Sequence, residues 1–324
     1  MKMLLLGGTA FLGRAIAMEA LARGAEVTCL ARGTTAPPEG VTFVLADRDH
    51  DDGLAQVADQ HWDVVVDVTR QPGQVRRAVR DLSTDHVVFI STTSVYANGD
   101  QLEQDEDAPT VDALVWDVMT DMSTYGQAKM ACEEAVRAAP ATSTIIRPGL
   151  IGGPGDTSSR SGYYPWRFAH PTGDDVLVPD DPDFLCALID VDDLAAWTLT
   201  VAEDHLVGTY NSTGRTTPLA VVLEAARRAA GEQAPPPRPV PVEVLRAAGV
   251  ESWMGPRSLP LWIDDPADRY GGTASTDAAR ACGLTTRPLE ETFARVLPYE
   301  EARAEPRRSG LSDTDEQQLR LMLG

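Results

Sequence analysis

The chain opens with MKMLLLGGTAFLGRAIAMEALARGAEVTCL, residues 1–30, and this stretch decides the fold. Residues 1–6 form a short apolar run, which predicts a buried strand. A glycine-rich turn follows at 7–13. Residues at helical spacing then continue to Arg23, and Gly24 is suited to end a helix. Residues 25–30 predict a second strand, so the order strand, glycine turn, helix, strand indicates a parallel β–α–β unit.

The glycine turn in this setting predicts a dinucleotide-binding site. Glycines allow a tight turn and close approach of the backbone, and the N-terminus of the following helix favours the charge of a pyrophosphate. Ala10 stands where the middle glycine of the pattern usually lies, a change that a small residue can accommodate. The alternative is a simple connection between a strand and a helix.

Four further apolar segments predict strands at 41–45, 63–67, 86–90 and 142–146, with helical segments such as 74–82 between them. Several are apolar on both faces, which is typical of a parallel sheet covered by helices on both sides, the doubly wound α/β class. Ligands of such sheets bind beyond the carboxyl ends of the strands. We therefore expect one edge of the sheet to carry Gly7, Ala31, Arg32, Asp47, Val68, Thr69, Thr92 and Pro148.

Lys129 is one of only two lysines in a chain with 26 arginines, so its position favours a site that arginine cannot serve. Tyr125 lies four residues earlier in a segment of good helix formers, which places both side chains on one helical face. A compact ammonium beside a phenol stabilises negative charge on the phenol oxygen, whereas a guanidinium is a planar fork suited to carboxylates. The alternative is a surface tyrosine and a solvated lysine.

Five motifs occur together along the first two thirds of the chain. They are GGTAFLG (7–13), ISTTSVYA (90–97), YGQAK (125–129), RPGLIGGPG (147–155) and IDVDDL (189–194). In this order they resemble the extended short-chain dehydrogenases/reductases, in the branch of NAD-dependent epimerases, dehydratases and reductases. The region after about residue 215 fits this family only loosely.

The resemblance implies a catalytic set of Thr92, Tyr125 and Lys129, with Thr93 as the alternative to Thr92. Tyr125 would exchange a proton with a substrate oxygen while the nicotinamide exchanges a hydride with carbon, and Lys129 would hold the nicotinamide ribose. The implied cofactor contacts are Gly7, Thr9, Ala10, Phe11, Leu12, Gly13, Arg32, Asp47, Arg48, Val68, Thr69, Tyr125, Lys129, Pro148 and Leu150.

The choice of cofactor depends on residues 31–33. The family often places an acidic residue after the second strand, where it binds the adenosine ribose of NAD, but this chain has Ala31, Arg32 and Gly33. An arginine there is suited to the 2′-phosphate of NADP. We therefore expect NADP, with NAD as the alternative if Arg32 is simply an exposed turn residue.

Leu150 bears on the substrate. Sugar-nucleotide epimerases and dehydratases usually carry an asparagine at this position, and a leucine cannot hydrogen-bond through its side chain. This favours reduction of a smaller carbonyl or imine. The candidate substrate contacts are Thr93, Ser94, Arg160, Tyr163, Tyr164 and Trp166. For the three aromatic residues the alternative is packing between domains.

A chain of 324 residues suits one large domain with a smaller one appended. We expect a dinucleotide-binding Rossmann domain at 1–150 and about 186–212. A discontinuous substrate domain would comprise about 151–185 and 213–324. The acidic segment 99–122 is either a loop over the cleft or a surface excursion.

The net charge of −21 argues against affinity for nucleic acid or an anionic membrane. No apolar run reaches the length of a membrane span, and the N-terminal run is too short for a signal peptide. The four cysteines lie far apart and the five histidines show no ligand spacing. We expect a cytoplasmic protein without bound metal, acting on a small molecule as a monomer or homodimer.

Three functions stay open. The first is an NADP-dependent reductase or dehydrogenase. The second is a sugar-nucleotide epimerase or dehydratase that retains NAD and returns the hydride. The third is a non-catalytic nucleotide-sensing relative, which the catalytic set Thr92, Tyr125 and Lys129 disfavours.

Overall fold

The computed structural model describes residues 1–324. Its centre is a seven-stranded parallel sheet with the order β11-β6-β5-β4-β1-β2-β3. The strands of this sheet are β1 Lys2–Leu6, β2 Glu26–Ala31, β3 Thr42–Leu45, β4 His61–Asp67, β5 Ser83–Ile90, β6 Thr142–Pro148 and β11 Gly208–Ser212. The doubly wound parallel sheet predicted from the sequence is confirmed.

The remaining strands form two-stranded pairs: β7 Leu150–Gly152 with β10 Leu188–Asp190, β8 Val176–Pro179 with β13 Pro237–Val240, β9 Leu185–Cys186 with β12 Thr217–Pro218, and β14 Glu251–Trp253 with β15 Ser258–Pro260. The helices are α1 Phe11–Ala22, α2 Ala55–Ala58, α3 Pro72–Asp81, α4 Tyr125–Arg137, α5 Tyr163–Ala169, α6 Val191–Glu203, α7 Leu219–Ala229, α8 Val242–Ala247, α9 Asp277–Ala281, α10 Leu289–Glu301 and α11 Asp313–Leu323.

The edge strand β11 was not predicted, and β4 and β5 begin earlier than their apolar segments. Residues 208–212 read GTYNS, which lacks the apolar run of a central strand, but β11 pairs in parallel with β6 from Gly208 to Ser212. Likewise, β4 and β5 pair from His61 and Ser83 onward. Tertiary hydrogen bonding therefore extends strands beyond their apolar segments.

Successive residues of β1 face opposite sides of the sheet. Leu5 packs with Ile16 of α1 and Leu194 of α6 on one face. Leu4 packs with Trp62 and Val57 on the other. Because both faces of the sheet are covered in this way, the domain consists of three layers, with helices on both sides of the sheet.

A separate hydrophobic cluster lies in the C-terminal half of the chain, with Leu150 as its N-terminal member. It includes Phe168 of α5, Leu223 of α7 and Phe293 of α10. Most of its members come from the two segments predicted for the substrate domain, but Leu150, Cys186 and Leu188 lie in the ranges predicted for the Rossmann domain, and the boundaries of both domains stay a prediction.

Gly13 sets the distance between α1 and the sheet. A Cβ at this position would lie 2.2 Å from the carbonyl oxygen of Gly7, a backbone atom that cannot move without breaking the turn. Gly7 itself has a φ of 108°, a conformation that favours glycine. Both residues are therefore required for α1 to begin directly above the end of β1.

We expect Gly13→Ala to lower the free energy of unfolding by about 1–3 kcal/mol, because overpacking against rigid backbone outweighs the helix preference of alanine. The matched control is Gly272→Ala, where no atom lies within 4 Å of the added Cβ. Urea denaturation of both variants tests this. Equal stability of the two variants would show that the turn relaxes freely.

Candidate active site

The N-terminus of α1 fits an anionic group. Ala10 at the N-cap has no side-chain hydrogen bond, and the first turn of α1 contains no acidic residue. Its N–H groups therefore have no internal counter-charge. Phe11 adopts a φ of 35°, which is unusual for a bulky residue and holds the turn in a strained form. The N-terminus of α1 and the glycine turn together form a site suited to the pyrophosphate of a dinucleotide.

The rim beyond β2, β3 and β4 carries the other predicted cofactor contacts. Arg32 is exposed and makes no hydrogen bond or ion pair within the protein. Asp47 accepts a hydrogen bond from the backbone N–H of Asp49 at 3.0 Å, so its carboxylate is held at the end of β3. Val68 lies over the glycine turn, because a Cβ on Gly7 would come within 2.6 Å of it.

The side chain of Arg48, a predicted cofactor contact, is bound within the protein. Its guanidinium is buried and binds both carboxylate oxygens of Asp67, at 2.9 and 2.6 Å, and the carbonyl of Gln74 at 3.0 Å. A guanidinium used in this way anchors the loop after β3 to β4 and has little capacity left for a cofactor phosphate.

Lys129 lies at the carboxyl ends of the central strands β4 and β5. Its side chain is 3% exposed, and Nζ donates to the carbonyl oxygens of Thr69 at 2.7 Å and Ile90 at 2.6 Å. These carbonyls follow β4 and end β5, so the ammonium bridges two neighbouring strand ends. Two of its three hydrogens are satisfied by backbone, which leaves one for a ligand.

Tyr125 is the first residue of α4, one turn before Lys129. It is half-buried, and its hydroxyl has no hydrogen-bond partner within the protein. The next residue, Gly126, lies against the turn after β5, since a Cβ there would be 2.2 Å from the carbonyl oxygen of Ser94. The first turn of α4 and the residues after β5 are thus in direct contact.

Thr92 begins that turn and is 7% exposed. Its hydroxyl accepts a hydrogen bond from the N–H of Ser94 at 3.1 Å and donates to the Ser94 hydroxyl at 3.2 Å. Thr93 is buried and Ser94 is exposed. The structure therefore brings Thr92 to the same edge as Tyr125 and Lys129.

Glu133, which the sequence analysis missed, fixes α4 against the sheet. It is fully buried and binds Arg147 of β6 through both oxygens, at 3.0 and 2.8 Å. Ser91 donates to it at 2.5 Å and Arg137 at 2.7 Å. Burial by itself raises the pKa of Glu133, but the hydrogen bonds and charges of Arg147, with smaller effects of Ser91 and Arg137, hold it below its usual value.

The sequence contained one signal for the role of Glu133, its spacing from Lys129. It lies four residues after Lys129, so Tyr125, Lys129 and Glu133 share one face of α4. Its partner Arg147 belongs to a motif noted in the sequence, but the pairing depends on the tertiary fold.

The predicted aromatic substrate contacts lie elsewhere. Tyr163 and Tyr164 are 1% and 0% exposed and belong to the C-terminal hydrophobic cluster, so no substrate reaches them. Trp166 lies between Arg167 and Arg307, whose guanidinium carbons are 4.7 and 3.5 Å from its ring centre. The prediction was wrong for Tyr163 and Tyr164, because α5 turns them into the C-terminal cluster, and the role of Trp166 as a substrate contact stays a prediction.

Arg160, by contrast, lies in the loop between β7 and α5. It is half-buried, and its guanidinium stacks on the ring of Trp253 at 4.7 Å. Its charge lies within electrostatic range of the Tyr125 phenol. Pro148 and Leu150 are buried close to the strand end, and the Leu150 side chain packs in the C-terminal cluster.

The acidic segment 99–122 is held at both ends. Its first half accepts backbone hydrogen bonds from Tyr270 at Gly99 and from Ser275 at Gln104, at 2.7 and 2.9 Å. In its second half, Asp117 accepts from the N–H of Gly73 at 2.9 Å. The segment is therefore attached to residues 270–275 before α9 and to the start of α3.

No three His, Cys, Asp or Glu side chains come together in an arrangement that could hold a metal ion. None of the helices combines the length and the apolarity that crossing a membrane requires.

We expect Glu133→Gln to cost about 3–5 kcal/mol at pH 7, because it leaves the buried Arg147 charge without its partner. The control is Glu134→Gln, the exposed neighbour on the same helix. Since the pKa of Glu133 is lowered by folding, the difference from wild type is full above the usual pKa of about 4.3 and shrinks as the pH falls further. Denaturation at pH 7 and pH 3.5 tests this, and a difference unchanged with pH would contradict it.

Known proteins share this architecture. The enzyme WbmH of Bordetella bronchiseptica, solved with NAD+, superposes with a TM-score of 0.68 at 17% identity over 94% of this chain and 99% of its own. The UDP-glucose 4-epimerase of Bifidobacterium longum, solved with NAD+ and UDP, gives 0.63 at 18% identity over 93% and 98%. The human epimerase family protein SDR39U1, solved with NADPH, gives 0.64 at 18% identity over 92% and 99%.

At these identities the superpositions establish the fold alone. No curated protein sequence matches the chain. The model of the NAD dependent epimerase/dehydratase family matches residues 3–82 and 72–211, which is more than half of the chain and contains the glycine turn, Thr92, Tyr125 and Lys129. The resemblance found in the sequence is thereby confirmed, and the chain belongs to the NAD dependent epimerase/dehydratase family.

Proposed function

We propose that the protein is an NAD(P)-dependent enzyme that carries out hydride transfer at a carbon–oxygen centre of a small substrate, with Tyr125 as proton donor and acceptor. The observation that carries this proposal is the position of Lys129. Its ammonium is buried between two strand ends, one helical turn from a half-buried tyrosine whose hydroxyl has no protein partner.

The residues divide the work. The Tyr125 hydroxyl gives its proton to the substrate oxygen during reduction and takes it back during oxidation, exchanging it with solvent between turnovers. Thr92 orients that oxygen by a second hydrogen bond, and Lys129 stabilises charge on the phenol oxygen. A bound nicotinamide supplies or accepts the hydride. Membership of the family and the glycine turn support a dinucleotide in this place.

The family and the solved relatives favour the form in which the hydride is returned to the substrate, as in epimerases and dehydratases. In that form the dinucleotide stays bound through the cycle. We therefore place epimerisation or dehydration first among the possible net reactions.

Net reduction of a carbonyl or imine is the second candidate, and Leu150 favours it. The side chain at this position is buried in the C-terminal cluster and offers no hydrogen bond to a nucleotide sugar. The dinucleotide content of the purified protein distinguishes these two candidate reactions. A stoichiometric dinucleotide that does not exchange with added cofactor supports the first, and free exchange supports the second.

We expect Tyr125→Phe to lower turnover by about 100- to 10,000-fold, the usual contribution of a general acid, while dinucleotide affinity stays nearly unchanged. Lys129→Arg should be strongly impaired, because a planar fork does not reproduce the two carbonyl contacts of the ammonium. Tyr299→Phe, at an exposed tyrosine of α10, is the control. Turnover of Tyr125→Phe within a few fold of wild type would exclude this chemistry.

For the cofactor, we propose that Arg32 pairs with the 2′-phosphate of NADP. A charge-assisted contact contributes about 1.5–3 kcal/mol, so NADPH should bind about 10- to 150-fold more tightly than NADH. Arg32→Ala should remove most of this preference by weakening NADPH. Arg215→Ala, at an exposed arginine in the loop after β11, is the control. Titration with both cofactors decides, and equal affinities in wild type would contradict the assignment.

A further inference from the structure

Most arginines in this acidic chain form an ion pair with a neighbouring carboxylate. Nineteen of the 26 lie within 4.0 Å of a carboxylate oxygen. Of the others, five are exposed to solvent, and only Arg160 and Arg280 are partly buried. A guanidinium that loses part of its hydration without forming a direct ion pair indicates a position that can bind a ligand.

The surroundings of Arg160 supply almost no partners. Nε donates to the hydroxyl of Ser158 at 3.1 Å, and neither terminal nitrogen donates to a protein acceptor. The nearby carboxylate of Asp156 attracts the guanidinium but forms no direct ion pair with it, because Ser158 and Ser161 donate to that carboxylate through N–H and hydroxyl groups at 2.6–3.2 Å. Burial raises the pKa of Cys186, also close to Arg160, to about 12, so that thiol carries no charge at neutral pH.

The position of Arg160 is fixed in advance. Its loop winds around the buried Asp156, and Ser159 holds a φ of 61° with its side chain fully buried. Trp253, whose ring lies under the guanidinium, adopts a φ of 69°. Backbone strain of this kind at two neighbouring positions persists only where the structure over-determines it, and it is typical of ligand sites.

The loop also joins the two halves of the proposed chemical site. Gly155 lies against Phe11 of the glycine turn, where an added Cβ would be 3.3 Å from the ring. Five residues later, Arg160 is within electrostatic range of the Tyr125 phenol. The loop that carries Arg160 therefore contacts the glycine turn, and its guanidinium lies near the phenol of Tyr125.

We propose that Arg160, stacked on Trp253, binds the carboxylate of an oxo or hydroxy acid whose reacting carbon faces Tyr125. The proposal rests on the second form of the proposed function, net reduction with an exchanging cofactor, and names its substrate class. The two free terminal nitrogens match the two oxygens of a carboxylate in a planar fork, and stacking on an aromatic ring keeps that plane fixed.

Charge favours a carboxylate over a phosphate group. Arg160 supplies one positive charge, while Lys129 is bonded to two backbone carbonyls and Arg147 is paired with Glu133. A phosphate monoester carries about −1.5 to −2 at pH 7 and would be neutralised only in part, in a protein with a net charge of −21.

The test compares 2-oxo and 3-oxo acids with their methyl esters and with oxo compounds of equal length that carry phosphate. In wild type, kcat/KM should favour the acid over its ester by about 10- to 100-fold, the size of a charge-assisted contact. Arg160→Gln should remove this preference, by raising KM for the acid much more than KM for the ester. Arg280→Gln, at the other half-buried arginine without a carboxylate partner, should keep the preference.

Three outcomes overturn the proposal: equal use of acids and esters by wild type, a preference that survives Arg160→Gln, and an Arg160-dependent preference for the phosphate compounds. Calorimetric binding of the same acid and ester pairs to Tyr125→Phe separates this proposal from the proposed function. An Arg160-dependent preference for acids in binding supports the carboxylate site even where Tyr125 has no role in turnover. Absence of that preference overturns the carboxylate site while hydride transfer stands.

Discussion

The edge of the sheet that carries Thr92, Tyr125 and Lys129 depends on one buried ion pair, between Glu133 and Arg147. Two charges removed from water are costly unless they are paired and fully hydrogen-bonded, and here Ser91 and Arg137 complete the set. Because Glu133 lies on the same face of α4 as Tyr125 and Lys129, the pair fixes the rotation of the helix about its axis. The helix can therefore present that face to the ends of β5 and β6 in one way only.

A second constraint is close backbone contact at both helix starts. Gly13 lets α1 begin directly above the end of β1, and Gly126 lets α4 begin against the carbonyl of Ser94. Lys129 then bridges the ends of two neighbouring strands through the carbonyls of Thr69 and Ile90. These three contacts bring the glycine turn, Thr92, Tyr125 and Lys129 to one edge of the sheet, where a parallel sheet binds its ligands.

Local patterns were enough for features that depend on neighbours in the chain, such as the glycine turn, the doubly wound sheet and the Tyr125–Lys129 spacing. Features decided by distant residues were not predictable. Arg48 finds Asp67 nineteen residues away. Tyr163 and Tyr164 fill a core built largely from later segments. The strand at 208–212 forms because it hydrogen-bonds to β6, and its own composition does not predict it. Arg160 was predicted near the substrate from its motif. Its stacking on Trp253, 93 residues later in the chain, depends on the tertiary fold and could not be predicted.

The most direct test of the account is a crystal structure of the protein with a bound nicotinamide dinucleotide. We predict the pyrophosphate at the N-terminus of α1, the ammonium of Lys129 within about 3 Å of a ribose hydroxyl, and the nicotinamide ring beside Tyr125. A dinucleotide bound away from the glycine turn would contradict the account. So would a nicotinamide ring remote from Tyr125, with Lys129 bonded to the carbonyls of Thr69 and Ile90 alone.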